Sequence, residues 1–271
     1  MKATIAGLFV YPVKSCGGIA MREARLTERG LEGDRHWMVV DAEGRFISQR
    51  EAPRLALVSV ASSTTGLQLR APGMSALDVP FETRGPSRIV SVWRDSVAAV
   101  DGGDIAAGWL SALIAREARL VRFDAHHRRS CNPAFVGASG AHTAFADAYP
   151  LLVIAQASLA DLNHRLSSPL PMNRFRPNVV LSGIEAYDED HIEEIRAGEV
   201  VLKLVKACTR CRVTTTDQET AEVGVEPLQT LSSYRHNSVL DGVTFGMNAI
   251  AINGVGLSLS VGTSANCVLN F

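Results

Sequence analysis

The densest chemical signal in the chain is Lys206-Ala-Cys-Thr-Arg-Cys-Arg212, two cysteines set among three cations. A cysteine thiolate is a strong nucleophile and a soft metal ligand, and neighbouring positive charge favours that ionised form. On spacing alone, Cys208-x-x-Cys211 has three functional readings. Half of a tetrahedral zinc site needs a second Cys or His pair; Cys131, Cys267 and the remaining histidines form none in sequence, although His126-His127 could contribute. A thioredoxin-like dithiol should follow a strand and open a helix, whereas the β-branched Arg212-Val-Thr-Thr-Thr216 predicts continued strand. The third reading is a single-thiolate site for a soft transition metal, one cysteine ligating and the other packing nearby. The plain alternative is a pair of buried small hydrophobes, against which the cationic setting weighs.

A second cluster is Tyr11-Pro-Val-Lys-Ser-Cys-Gly-Gly18. Lys14 and Ser15 beside a glycine pair predict accessible backbone N–H groups, a cradle for phosphate or an oxyanion, although an ordinary strand end with an exposed lysine fits the same residues. It is not a Walker motif, whose G-x-x-x-x-G-K-[ST] spacing is missing. Two arginine clusters stand further along, in Gly33-Asp34-Arg35-His36-Trp37 and Asn173-Arg174-Phe175-Arg176-Pro177-Asn178. The planar guanidinium fork suits bidentate phosphate binding, so such groups converging would make an anion pocket. The competing reading is surface ion pairs such as Asp34–Arg35, each worth little.

These residues need elements to hold them. The first hundred residues break into short apolar or alternating stretches between Gly, Pro, Asp and Ser clusters, which reads as β-hairpins. Asp104–Arg116 places Ile105, Trp109, Leu110 and Leu113 at helical spacing, with Asp104 as its cap. The Gly/Ala-rich run from His126 to Asp147 predicts a loop region, and a domain change is placed there. Beyond it, LLVIAQ, NVVLSG, EVVLKLVKAC, RVTTTD and MNAIAING read as strands. A helix over 158–166 is expected to be capped by Ser158, with Asp161 in its first turn, and EPLQTLSSYRH reads as a short helix.

Composition sets the limits. The 271 residues are 46% hydrophobic and 20% charged, enough apolar material for a sizeable core and unlike a disordered chain. A net charge of -1 argues against a protein that coats nucleic acid or adheres to membranes, so any bound anion needs a local site. Five cysteines, an odd number, fit reduced thiols better than a disulfide scaffold. No apolar run reaches the roughly 18 residues of a spanning helix, and no cleavable leader is evident, so a cytoplasmic protein is expected.

Read in order, YPVKSCGGI, GLEGDRHWMVVDAEGRFISQREAPRLALV, YPLLVIAQASLADLNHRL, NRFRPNVVLSG and KACTRCRVTTTDQET resemble the MOSC-domain proteins of the mitochondrial amidoxime-reducing component type, including bacterial relatives. The resemblance implies a mainly β fold with a few α-helices. An N-terminal β-barrel-like MOSC domain over 1–125 would precede a β-barrel MOSC domain over 126–271. It implies a molybdenum cofactor, with Cys211 as metal ligand and Cys208 as its neighbour. Lys14, Ser15 and Arg35 would meet the pterin and its phosphate, and Arg176, Asn178 and Arg210 would complete that pocket. The implied chemistry is two-electron reduction of amidoximes, hydroxylamines or other N-hydroxylated compounds to the N–H form plus water. Asp217 is a candidate proton donor in catalysis, with loop capping as its competing role.

The resemblance also implies a separate electron-donor protein of ferredoxin, flavodoxin or cytochrome type, since no C-x₄-C-x₂-C spacing for a plant-type cluster occurs here. The membrane anchor of mitochondrial members is not seen either. A cofactor or sulfur carrier using the Cys211 thiolate is the alternative function. Where relatives often read D-P-x-T-G, this chain has Asp217-Gln-Glu-Thr-Ala221, a change that bears on loop shape.

Overall fold

A computed structural model describes residues 1–83 and 85–270. The chain is mainly β, and its centre is a closed seven-stranded barrel. Leu151–Ala155 lies parallel to Val179–Ser182, which pairs with Lys2–Val10. Lys2–Val10 pairs in turn with Ser264–Leu269, and the circuit continues through Ile192–Ala197, Val200–Thr209 and Gly242–Asn253. It shuts where Gly242–Asn253 meets Leu151–Ala155. Closure removes the unpaired edges that an open sheet exposes. The parallel pair needs a crossover, which the helix Gln156–Arg165 supplies.

Burial along the staves follows the period of two. In Lys2–Val10, Ala3 and Ile5 point inward, the pattern slips at a bulge beside Gly7, and Leu8 and Val10 resume it. Their inner partners include Val153, Val179, Leu202 and Ala249. The first stave thus comes from the opening of the chain and all the others from beyond residue 150.

The remaining N-terminal strands build a second body. Trp37–Val40, Arg119–Phe123, Asp95–Asp101 and Ser87–Val92 form a four-stranded antiparallel sheet, and Ser59–Ser62, Gly66–Arg70 and Leu77–Pro80 a three-stranded one. Trp37–Val40 is buried throughout because both its faces are covered: Trp37 and Val39 join one core, Met38 and Val40 another. Leu110 and Leu113 of the helix Asp104–Ile114 close the first of these.

Four local expectations are corrected in the structure. Gly103, not Asp104, holds the cap position of its helix, and the Asp104 carboxylate accepts from Arg119 instead. Ile105 is left 82% exposed, off the buried stripe. The helix expected to start at Ser158 starts at Gln156; Ser158 is buried and donates its hydroxyl proton to Glu189 Oε2, while Glu189 Oε1 accepts the Ala155 N–H. Arg212–Thr215 is a 3₁₀ turn rather than a strand. The Thr214 and Thr215 hydroxyls donate back to the Cys211 and Arg212 carbonyls, and this local bonding overrides the β preference of branched residues. Among the described residues no helix is long and apolar enough to cross a membrane.

Candidate cofactor site

One cavity is lined by residues from both halves of the chain. Lys14, Ser15, Arg35, Arg176, Asn178, Cys208, Arg210 and Cys211 all lie on its wall.

Its most cationic face is organised by Tyr11. The Arg35 and Arg176 guanidinium carbons sit 4.3 and 4.2 Å from the Tyr11 ring centre, so the buried phenol holds two like charges side by side. Gly18 makes this possible, since a Cβ there would stand 2.4 Å from the Tyr11 ring. The glycine pair therefore serves packing; the Gly17 N–H is not a free donor but bonds to the Val58 carbonyl at 2.8 Å. Arg35 donates to both Asp34 oxygens, to Asn178 Oδ1 at 3.1 Å and to the Arg176 carbonyl at 3.0 Å. Asp34 is almost wholly buried, which corrects the surface ion-pair reading. Asn178 is a strut: its side chain also accepts the Leu152 N–H and donates to the Phe9 carbonyl.

Ser15, Arg35 and Arg176 have φ values of 71°, 50° and 56°. Left-handed backbone at three non-glycine residues stores strain, which folds keep where geometry matters. Arg176 is 8% exposed, and burial pulls its guanidinium down to about 10. Its Nη2, like Arg210 Nε, is buried with no hydrogen-bond partner. Buried donors without acceptors are costly, and an anionic group satisfies them.

A second face carries an acid and a base. Lys14 Nζ donates to Asp147 Oδ1 at 2.6 Å and to the Phe145 carbonyl at 2.8 Å. Burial pulls the Lys14 ammonium below its ordinary value against the opposing pull of Asp147. Withdrawal from water pushes the Asp147 carboxyl up, but the Lys14 charge and hydrogen bonds from Lys14 and Trp93 win and hold it well below the carboxylate range. Its side chain nonetheless stays 65% exposed at the cavity mouth.

Cys208 and Cys211 are both half-buried on the wall, whereas Cys16, Cys131 and Cys267 are buried elsewhere. Arg210 donates to Cys208 Sγ at 2.9 Å and to the Phe175 carbonyl at 2.7 Å. Arg50 approaches Cys211 Sγ at 3.7 Å. The turn beyond Cys211 is pinned by Arg174, whose Nε donates to the Thr214 carbonyl at 2.9 Å. Arg174 thus braces the loop while Arg176, two residues on, faces the cavity. Asp217 is not on the wall; its Oδ1 accepts the Glu219 and Thr220 N–H groups and its Oδ2 meets Arg174. Among the described residues, no three His, Cys, Asp or Glu side chains gather as a metal-holding set. Cys208 and Cys211 are the soft, thiol donors that the wall presents.

Tyr11, Phe46, Arg50 and Asp147 were not singled out from sequence. Tyr11, Phe46 and Arg50 fall within the motifs Tyr-Pro-Val-Lys-Ser and Gly-Arg-Phe-Ile-Ser-Gln-Arg-Glu, which is the signal the sequence offers for them. Asp147 ends a Gly/Ala-rich run that reads only as loop.

A strained, cation-lined cavity with two thiols, set between a closed barrel and an N-terminal β body, defines a protein of the MOSC class. Residues 2–117 match the MOSC N-terminal beta barrel domain and residues 140–263 the MOSC domain. The chain is 36% identical over 242 residues to mitochondrial amidoxime reducing component 2 of Bos taurus, covering 86% of this chain and 72% of that protein. Against mitochondrial amidoxime-reducing component 1 of Homo sapiens identity is 38% over 242 residues, with the same coverage, 86% and 72%. Against component 1 of Xenopus laevis it is 32% over 274 residues, 93% of this chain and 80% of that one. The chain belongs to the family of the mitochondrial amidoxime-reducing components.

Proposed function

We propose that the chain reduces N-hydroxylated compounds to their N–H forms, using a molybdenum cofactor held in this cavity and electrons from a separate redox protein. The observation that carries the reading is the pair of orphaned buried donors, Arg176 Nη2 and Arg210 Nε, on the same wall as an accessible thiol. That combination suits a group that is anionic at one end and thiophilic at the other, as a phosphorylated pterin bearing molybdenum is.

In this reading the Cys211 thiolate holds the metal, with Cys208 beside it. Arg35, Arg176 and Arg210 meet the phosphate, Lys14 and Ser15 the pterin edge, and Asn178 keeps Arg35 in place. When bound, the cofactor supplies the two-electron redox chemistry of N–O cleavage. Conversion of an N–OH group to N–H and water also consumes two protons. Lys14 Nζ, on the cavity wall and made more acidic by burial, is the group there that holds protons to give, and the ionised Asp147 at the mouth orients it. Asp217, outside the wall and engaged in its own turn, shapes the loop after Cys211.

Expression in a host that makes molybdenum cofactor tests this. Molybdenum near one per chain is expected, lost in Cys211→Ala and largely kept in Cys208→Ala, together with turnover of an amidoxime by an artificial reductant. Equal loss from both variants overturns the ligand assignment. Metal without reduction of amidoximes or hydroxylamines overturns the reductase reading and favours a cofactor carrier.

A further inference from the structure

Trp93 occupies a position that its side chain makes costly. Ser87–Val92 and Asp95–Asp101 pair with Val92 opposite Asp95, so Trp93 and Arg94 form a two-residue turn. Trp93 has φ 57°. In such turns a first residue at positive φ is ordinarily glycine, and a bulky aromatic residue there is a conformational outlier that calls for a compensating role.

The indole is aimed at the cavity mouth. Its Nε1–H donates to Asp147 Oδ1 at 3.1 Å, and its ring meets Phe46 edge-on at 5.1 Å. The Arg50 guanidinium lies 4.6 Å from the ring and also 3.7 Å from Cys211 Sγ. One guanidinium thus spans the indole and the thiol. Phe46, Arg50 and Asp147 are on the cavity wall, while Trp93 stands just outside them and remains 53% exposed. Packing alone does not require so much open indole, since burial is what rewards an aromatic residue.

We propose that Trp93 is a specificity residue for the reductase reaction: its open indole surface stacks the planar aromatic part of an N-hydroxylated substrate, leaving the N–O group directed toward Cys211. The inference rests on the function proposed above. Arg50 fixes the indole from one side, Asp147 fixes its N–H, and substrates lacking a ring gain nothing from it.

Trp93→Gly gives the turn the residue its backbone prefers, so the variant folds, and Trp93→Phe restores a smaller stacking surface. With the cofactor-loaded protein, KM for benzamidoxime is expected to rise about three- to tenfold in Trp93→Gly, the size of one aromatic contact. KM for hydroxylamine, which has no ring, is expected to stay within about twofold. Trp93→Phe should recover most of the benzamidoxime KM, and molybdenum content should match wild type. Parallel rises for both substrates, or a change for neither, overturn the proposal. Calorimetric titration with benzamidoxime separates the two readings. Trp93-dependent binding without turnover retains the subsite and removes the reductase; turnover and binding indifferent to Trp93 do the reverse; neither binding nor turnover removes both.

Discussion

Gln49 and Gln218 exchange amide hydrogen bonds at 3.0 Å in both directions, joining segments 169 positions apart. Each amide uses its second N–H on a carbonyl, Gln49 on Ser15 at 2.7 Å and Gln218 on Thr216 at 2.9 Å. The clasp therefore ties the strained Ser15 turn to the loop that follows Cys211. Gln49→Ala and Gln218→Ala are each expected to cost about 1–3 kcal/mol, because each leaves buried partners unmet. Denaturant unfolding of the two variants and their double mutant checks this. A coupling of about 0.5–3 kcal/mol is expected, and additive losses would mean that the two amides act independently.

Arg176→Met should separate holding the cofactor from holding the fold. Removing a buried cation with an orphaned Nη2 relieves a desolvation cost. The cofactor-free variant is expected to melt no lower than wild type, while molybdenum and pterin contents drop. Full cofactor content in this variant would release Arg176 from the anion site.

Thiol labelling should sort the five cysteines. Burial pushes the Cys16 thiol up to about 12, Cys131 to about 11, and Cys267 also upward. Cys208 and Cys211 are half-buried on the cavity wall. Iodoacetamide on cofactor-free native protein is expected to modify Cys208 and Cys211 first, with the other three reacting only in denaturant. Mass spectrometry reads the order, and bound cofactor should protect Cys211.

Acid stability should depend on Asp101. Burial pushes its carboxyl up, but hydrogen bonds from Arg119, the Gly103 N–H and Arg88 prevail and hold it at about 2, against an ordinary 3.8. Its contribution is complete above the ordinary value and is lost as pH falls through the native one. The melting-temperature gap between wild type and Asp101→Asn is thus expected to be wide at neutral pH and to narrow between about pH 4 and pH 2. A constant gap would place the effect in packing.

Most strands and the cationic half of the site were legible in the sequence. Turn residues punctuate the hairpins, and the ordered motifs carry Lys14, Arg35, Arg176 and Cys211. What escaped depends mostly on contacts distant in sequence, and in one turn on hydroxyls bonding back to their own backbone. Asp104 and Ser158 look like helix caps, yet Arg119 and Glu189 claim their side chains. Arg212–Thr215 looks like strand, yet its hydroxyls bond to its own backbone. Asp147 sits in a run that local composition marks only as loop; its importance comes from Lys14, which arrives from the far end of the chain.

The barrel's wiring has a consequence for biosynthesis. Lys2–Val10 has as its barrel neighbours Val179–Ser182 and Ser264–Leu269. A nascent chain therefore carries an apolar stave that only the short strand Ile19–Met21 can pair early, and the edge that takes Ser264–Leu269 stays open until translation has passed residue 264. Such long-range pairing is slow to form and vulnerable to wrong partners. Yield of soluble protein should thus hinge on the C-terminal strand, whose loss would strand the first one made.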